Sequence, residues 1–456
     1  MWLPLIAALA LAPTAIFGED AALAERARRY LVDLIRIDSS NPPGNETRVA
    51  AYLKQVAEAE GLEAELLGED PNRLNFVARL RSEGRGRPLL LMAHSDVVPA
   101  DAAQWKAGPF SGEVRNGYAY GRGALDDKSL LAAELAVMVD LKRNSIPLRR
   151  DILLLAEADE ESGSTGVQWL IRNAWSKIAA ESALNEGGFI LNLPSGRRVF
   201  HVQTAEKIPT RVVLRARGAA AHASLPRSDN PVLSIARALT ALDDVDQPVR
   251  LNSTTRHYFS ALSHLQEYRW LAPLLPKLYN PQTAIQAANQ IRERDPELDA
   301  QLRTTVVPTI LQAGSKINVI PNMAEAQLDV RRLPNETREE VMARLRRIIN
   351  DNCVELEPAI GQEMPPAEPS STGNALYHAM EQVFREAAPT ALVVPYMQRG
   401  ATDGAFLRKQ GMPVYGVPLF AREDDSHPHG NDERISLRNL DSGTSLLWKI
   451  VLAACR

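Results

Sequence analysis

Cysteine is almost missing from this chain. Two occur in 456 residues, Cys353 and Cys455, and they lack the spacing of a metal knuckle or a redox pair, so both read as small buried hydrophobes. A basic surplus is missing too: 52 Lys and Arg face 56 Asp and Glu, giving a formal net charge of −4 with no basic stripe. That balance argues against partners held by phosphate charge, whether nucleic acid or an anionic membrane surface. The chain has no internal repeat and no long low-complexity segment. It also lacks the Gly-x-Ser-x-Gly elbow with which many serine hydrolases present their nucleophile. The one long apolar run, MWLPLIAALALAPTAIFG at 1–18, is short for a membrane span and resembles the core of a secretory signal, although no Lys or Arg precedes it. It predicts export as a secreted or periplasmic protein, with an uncleaved membrane anchor as the alternative.

What is present is a soluble globular composition on a chain too long for one ordinary core, which predicts two domains or one domain with a large insertion. Two helical patterns flank the polar loop DSSNPPGNET. Strand-like runs follow at Leu74–Leu80 and Pro88–His94, then a helix after Asp127, then the buried strand DILLLAE leading into Glu160 and Glu161. Strands alternating with helices predict an α/β sheet covered on both faces, with ligands gathering at the carboxyl ends of its strands. Between 207 and 361 the pattern changes to strand, helix, two strands, helix and strand, an α+β ferredoxin-like unit inserted into the first domain. A largely helical extra, 250–303, interrupts it. From 362 to 456 the first pattern resumes with a helix near Leu376–Ala387, the loop QRGATDGAF, the strand PVYGVPL and a closing helix from Leu437. The expected division is therefore a signal peptide at 1–18, a first domain in two pieces (19–206 and 362–456), and the inserted unit at 207–361.

Chemistry concentrates around GRGALDDKS, Gly121–Ser129. Alone, two adjacent aspartates in a Gly-rich loop are more often a turn or a helix cap. Four further clusters change that reading: His94 with Asp96 in AHSDVVP, Glu160 with Glu161 in ADEESGS, Glu186 in LNEGG, and His429 in HPHGNDERI. His94 and Asp96 stand two apart at a strand end and share a face, so one can bind a metal while the other supports it. Glu160 and Glu161 repel each other unless a cation or a reaction needs them. One then ligates and the other acts as general base on a metal-bound water. If Asp126 bridges, His94, Asp126, Glu186, His429 and one of the two neighbouring glutamates give two imidazoles and three carboxylates. Two ions about 3.5–4 Å apart suit that set, as zinc, or as cobalt or manganese. His427, two residues before His429, competes for the histidine role.

These motifs, with GAAAHAS, NVIP, LDVR and HGNDER, run in one order from about Ala24 to the C-terminus. That order resembles the di-zinc exopeptidase and deacylase family that includes aminoacylase-1, glutamate carboxypeptidase G, succinyl-diaminopimelate desuccinylase and carboxypeptidase S. The resemblance implies a phosphorylase/hydrolase-like catalytic domain with the insert as lid and dimerisation domain. It implies two zinc ions, one held by His94, Asp126 and Glu186 and the other by Asp126, Glu161 and His429. Glu160 then becomes the general base, Asp96 the support of His94, and Asp126–Asp127 a cis peptide. His222 serves the active site of the partner subunit in a homodimer, donating to the oxyanion, while Asn318, Arg331 and Thr402 contact substrate, Arg331 through its carboxylate. Asn185 departs from the aspartate many relatives carry there, and the 250–303 helices exceed the minimal insert. The function so implied is a zinc-dependent exopeptidase or N-acyl-amino-acid amidohydrolase acting on substrates with a free carboxylate. A carbamoyl or amidino amidohydrolase is one alternative, and a catalytically silent metal-containing binding protein is the other.

Overall fold

The computed structural model of the chain describes residues 16–359 and 364–456. The signal expected over 1–18 lies outside them except for its last three positions, where the helix Ile16–Ile35 begins. No helix among the described residues is long and apolar enough to cross a membrane.

Nine strands make one mixed sheet in the order 63–67, 75–80, 150–157, 86–94, 182–185, 414–416, 198–206 and 392–398, with 189–192 added beside 198–206. Gly86–His94 runs parallel to both Arg150–Glu157 and Ser182–Asn185. Parallel neighbours need a crossover, and helices on both faces bury them. This is why PLLLMAH and DILLLAE are unbroken apolar runs and not alternating ones. The crossover helix Lys128–Arg143 is buried at every position from Lys128 to Leu141. It shares one core with the helices Ile16–Ile35, Ala375–Ala387 and Leu437–Cys455. Thr165–Asn173 and Gly404–Lys409 cover the opposite face.

The chain leaves this sheet after Glu206 and enters a second one at Ile208. The second sheet is antiparallel, in the order 305–313, 323–332, 208–217 and 354–358. The helices Pro231–Asp243 and Arg338–Ile349 pack on it around an apolar core. Its edge strand Thr305–Ala313 is open along most of its length, with Val307 52% and Leu311 63% exposed. The helical extra does not rest on this small sheet. Tyr258, Phe259, Leu262 and Ile291 instead share a core with Val199, Val394 and Tyr396 on the flank of the large one. The strands at that flank, Arg198–Glu206 and Leu392–Gln398, were not expected from the sequence. Cys455 is buried as expected, whereas Cys353 is exposed.

Candidate active site

Parallel strands in register bring their carboxyl ends to one edge. His94 ends Gly86–His94 opposite Glu157, and Ser182–Asn185 stops one residue before Glu186. The Gly121–Asp127 loop reaches over this edge and delivers Asp126 through a cis Asp126–Asp127 peptide. Gly123 (φ +82°) takes a left-handed turn there, and a Cβ on it would stand 2.7 Å from Val97 Cγ1. Asp126 Oδ1 lies 3.0 Å from His94 Nε2, and its Oδ2 lies 3.1 Å from His429 Nε2. His429 Nε2 is also 3.0 Å from Glu161 Oε1. Two triads therefore meet at one aspartate, His94–Asp126–Glu186 and Asp126–Glu161–His429, and the ligand atoms within each lie within 4.8 Å of one another. A third grouping, His94–Glu160–Glu161, adjoins them.

The electrostatics of this cluster fit divalent cations. Burial pushes the Glu160 carboxyl well above its ordinary range, with repulsion from Glu186 adding to it. Burial does the same to Glu186 against the pull of His94. For Asp126 the push of burial is overcome by its two imidazole contacts, which hold it well below the usual carboxylate range. The contacts with Asp126 and Glu161 raise His429 to about 10. Glu160 and Glu186 are thus pushed toward protonation, while Asp126 stays ionised between two histidines that are drawn toward positive charge. Oxygen and imidazole donors in this proportion suit zinc-class ions.

Asp96 faces His94 with two groups: its carbonyl oxygen lies 3.0 Å from His94 Nδ1 and its carboxylate 3.5 Å. The carboxylate also accepts from the Asn41 amide (2.8 Å) and from the N–H groups of Glu160 (3.2 Å) and Glu161 (3.1 Å), so it aims both glutamates. Arg331 lines a cleft of about 400 Å³ together with Glu160, Glu161, His429, Arg211 and Arg338. Its Nε and Nη2 face Asp329 at 2.7 and 3.1 Å. Thr402 departs from expectation: it is 1% exposed, and its hydroxyl donates to Glu206 at 2.8 Å, away from the cleft. Within one chain His222 and Asn318 also stand apart from the cluster. They lie on or beside the short pair Ala221–His222 and Val319–Ile320, where His222 Nδ1 meets Ser224 Oγ at 2.7 Å and the Asn318 carbonyl accepts from Ala223. Asn185 is buried, and neither polar atom of its side chain has a hydrogen-bond partner among the described residues.

The residue that sequence reasoning missed is Glu433, fully buried at the end of HGNDE. Its Oε1 accepts from Leu125 N (2.8 Å) and Asp126 N (3.1 Å), and its Oε2 from Arg122 Nη1 (2.6 Å) and Gly123 N (3.1 Å). It clamps the loop that carries the shared aspartate. An acid so close to His429 was the available signal, but its partners lie about 310 residues away.

The family model described as Peptidase family M20/M25/M40 matches residues 90–453. The human N-fatty-acyl-amino acid synthase/hydrolase PM20D1 is 28% identical over 454 residues, covering 96% of this chain and 89% of that protein. A probable carboxypeptidase S-like 2 of Dictyostelium discoideum is 28% identical over 364 residues, covering 77% of this chain and 69% of its own length. Among solved structures, the M20 family metallo-carboxypeptidase Sso-CP2 from Sulfolobus solfataricus superposes with a TM-score of 0.70 at 22% identity, over 94% of this chain and 99% of that one.

Proposed function

The chain belongs to peptidase family M20/M25/M40, and on that premise we propose that it is an exported zinc-dependent metallo-exopeptidase of carboxypeptidase or aminoacylase type. Its substrate is a peptide or N-acyl amino acid with a free carboxylate. The observation that carries this reading is Asp126, whose two oxygens face two histidines at 3.0 and 3.1 Å with Glu186 and Glu161 on either side. His94, Asp126 and Glu186 would hold one ion, and Asp126, Glu161 and His429 the other. Such ions supply polarisation of the scissile carbonyl and acidification of the attacking water.

The chain's own groups do the rest. Glu160 takes the proton of the attacking water and returns it to the leaving amine. Asp96 keeps the glutamate in line through its backbone N–H. Arg211, Arg331 and Arg338 form a cationic wall beside the carboxylate cluster. With the Nε/Nη2 edge of Arg331 turned to Asp329, its Nη1/Nη2 edge is the one that meets a substrate carboxylate. His222 serves the site of a second copy of the chain, a reading supported by its exposure and by the open edge strand of the small sheet.

Hydrolysis of N-acyl amino acids and dipeptides by zinc-loaded protein, compared with their carboxamides and methyl esters, tests the proposal. Free acids should be preferred, and Arg331→Ala should remove most of that preference, at a cost of about 1.5–3 kcal/mol for a charged hydrogen bond, with metal content unchanged. Equal rates on free acids and carboxamides would refute it and favour a non-peptide amide as substrate.

A further inference from the structure

The chain first passes from the large sheet to the small one through a single residue, Lys207, between the strands Arg198–Glu206 and Ile208–Arg217. Its backbone N–H donates to Gln398 O (2.9 Å), at the end of the neighbouring strand of the large sheet. Its side chain, 1% exposed, bonds elsewhere: Nζ donates to Ala300 O (3.0 Å), Arg303 O (3.0 Å) and Thr305 Oγ1 (3.1 Å). An ammonium has three hydrogens, and these three acceptors use them all. None of the three is a carboxylate. A buried charge held only by neutral oxygens is a costly way to fill space, and what it gains here is a join.

Ala300 and Arg303 belong to the end of the helical extra, and Thr305 begins the edge strand of the small sheet. The extra itself is fastened to the large sheet. It shares a core with Val199 and Val394, its Thr254 meets Thr204 through a buried hydroxyl pair (2.9 Å), and its Glu297 pairs with Arg399 (2.7 Å). Lys207 therefore ties two passages into the small sheet, at 206–208 and 303–305, to one buried nitrogen.

Between those passages runs the strand Met323–Arg332, in which Arg331 stands opposite Pro209 on one side and Thr305 on the other. Pro209 lies two residues from Lys207, and Thr305 is one of its acceptors. Arg331 is also near enough that its charge adds to burial in lowering Lys207 to about 7. Lys207 itself is outside the lining of the arginine cleft. We propose that Lys207 is a positioning residue: it pins the small sheet to the large one so that Arg331 keeps its place relative to the Asp126 cluster, and it thereby sets how well a free carboxylate is told from its amide. This rests on the substrate reading above and adds the residue, outside the cleft, on which that discrimination depends.

Two variants test it. Lys207→Met keeps the stem and removes all three donors, and Thr305→Val keeps the shape of its side chain and removes one acceptor. Each zinc-loaded full chain is assayed on an N-acyl amino acid and on its carboxamide. Metal content and hydrogen exchange over 205–210 and 300–306 are measured on the same samples. A misplacement of about 1 Å caused far from the reaction can cost about a hundredfold. Lys207→Met should lower the free-acid to carboxamide ratio of kcat/KM by about tenfold or more, through a higher KM for the free acid. Thr305→Val, which loses one hydrogen bond, should lower it by about threefold. Metal content should not change. An unchanged ratio, or an equal loss on both substrates, would overturn the proposal, since a merely structural role moves the two together. If Lys207→Met does not fold, Thr305→Val decides alone. If the unmodified chain shows no preference for free acids, the proposed function fails and hydrogen exchange decides the pin by itself. Faster exchange in both segments of the variants then supports it, and faster exchange in one or neither overturns it.

Discussion

Replacing Glu433 by glutamine preserves shape and volume but removes the charge that four donors share. The carboxylate accepts from Leu125 N and Asp126 N on one oxygen and from Arg122 Nη1 and Gly123 N on the other. A glutamine amide can serve one of those pairs, and it presents its own N–H₂ to the other. Two buried donors are then stranded, at about 1–3 kcal/mol each. In either orientation Arg122, a guanidinium only 3% exposed, loses its counter-charge, and removing one partner of a buried pair costs about 3–5 kcal/mol. These costs overlap, so we expect a loss of about 3–5 kcal/mol, a large part of the 5–15 kcal/mol typical of a folded domain. Because one lost bond is to the N–H of Asp126, metal content should fall as well. Urea unfolding of the zinc-loaded variant and elemental analysis read the two effects separately. A variant with wild-type stability and full metal content would refute the view that this clamp, and not the metal pair, shapes the Gly121–Asp127 loop.

Three other outcomes follow from the same geometry. Glu160→Gln should keep its metal and lose most turnover, while Glu161→Gln should lose metal; the reverse pattern in elemental analysis and kinetics would mean that the neighbouring acids are assigned the wrong way round. In the metal-free chain, contacts with Asp126 and Glu161 raise His429 from 6.5 to about 10. Its contribution to stability is therefore complete below pH 6.5 and is lost as pH rises through 10. The melting-temperature gap between zinc-loaded and chelator-treated protein should widen across that window, and comparing the two forms cancels the buried Lys128 and Lys207, whose lowered pKa values act in the opposite direction; a constant gap would contradict the ligand role of His429. Finally, mixing inactive His222→Ala with inactive Glu160→Gln should restore part of the activity, because one mixed site holds both groups, and no recovery in a verified heterodimer would place His222 outside the chemistry.

Much of this protein was legible along the chain, wherever the physics is local. PLLLMAH and DILLLAE could be read as buried strands, and TRVVLRARG and AEAQLDVRRL as alternating ones, because side-chain period and burial are set by near neighbours. The strand pattern also placed His94 and the Glu160–Glu161 pair at carboxyl ends, where parallel strands must bring them together. Two strands escaped notice. LVVPYMQ contains Pro395, a residue that ordinarily argues against an inner strand, and VFHVQTAE mixes polar groups into a run that is buried anyway.

The sequence by itself determined the donor types, their order along the chain and the two sheet patterns, since each depends on residues a few positions apart. Only the tertiary structure decided where side chains without a local partner turn. It spent the Thr402 hydroxyl on Glu206, turned one edge of Arg331 to Asp329, and laid the 250–303 helices on the flank of the large sheet, with Glu297 against Arg422. It also closed Glu433 over a loop some 310 residues earlier. A buried donor must find an acceptor wherever the fold supplies one, and the distance along the chain to that acceptor leaves no trace in local pattern.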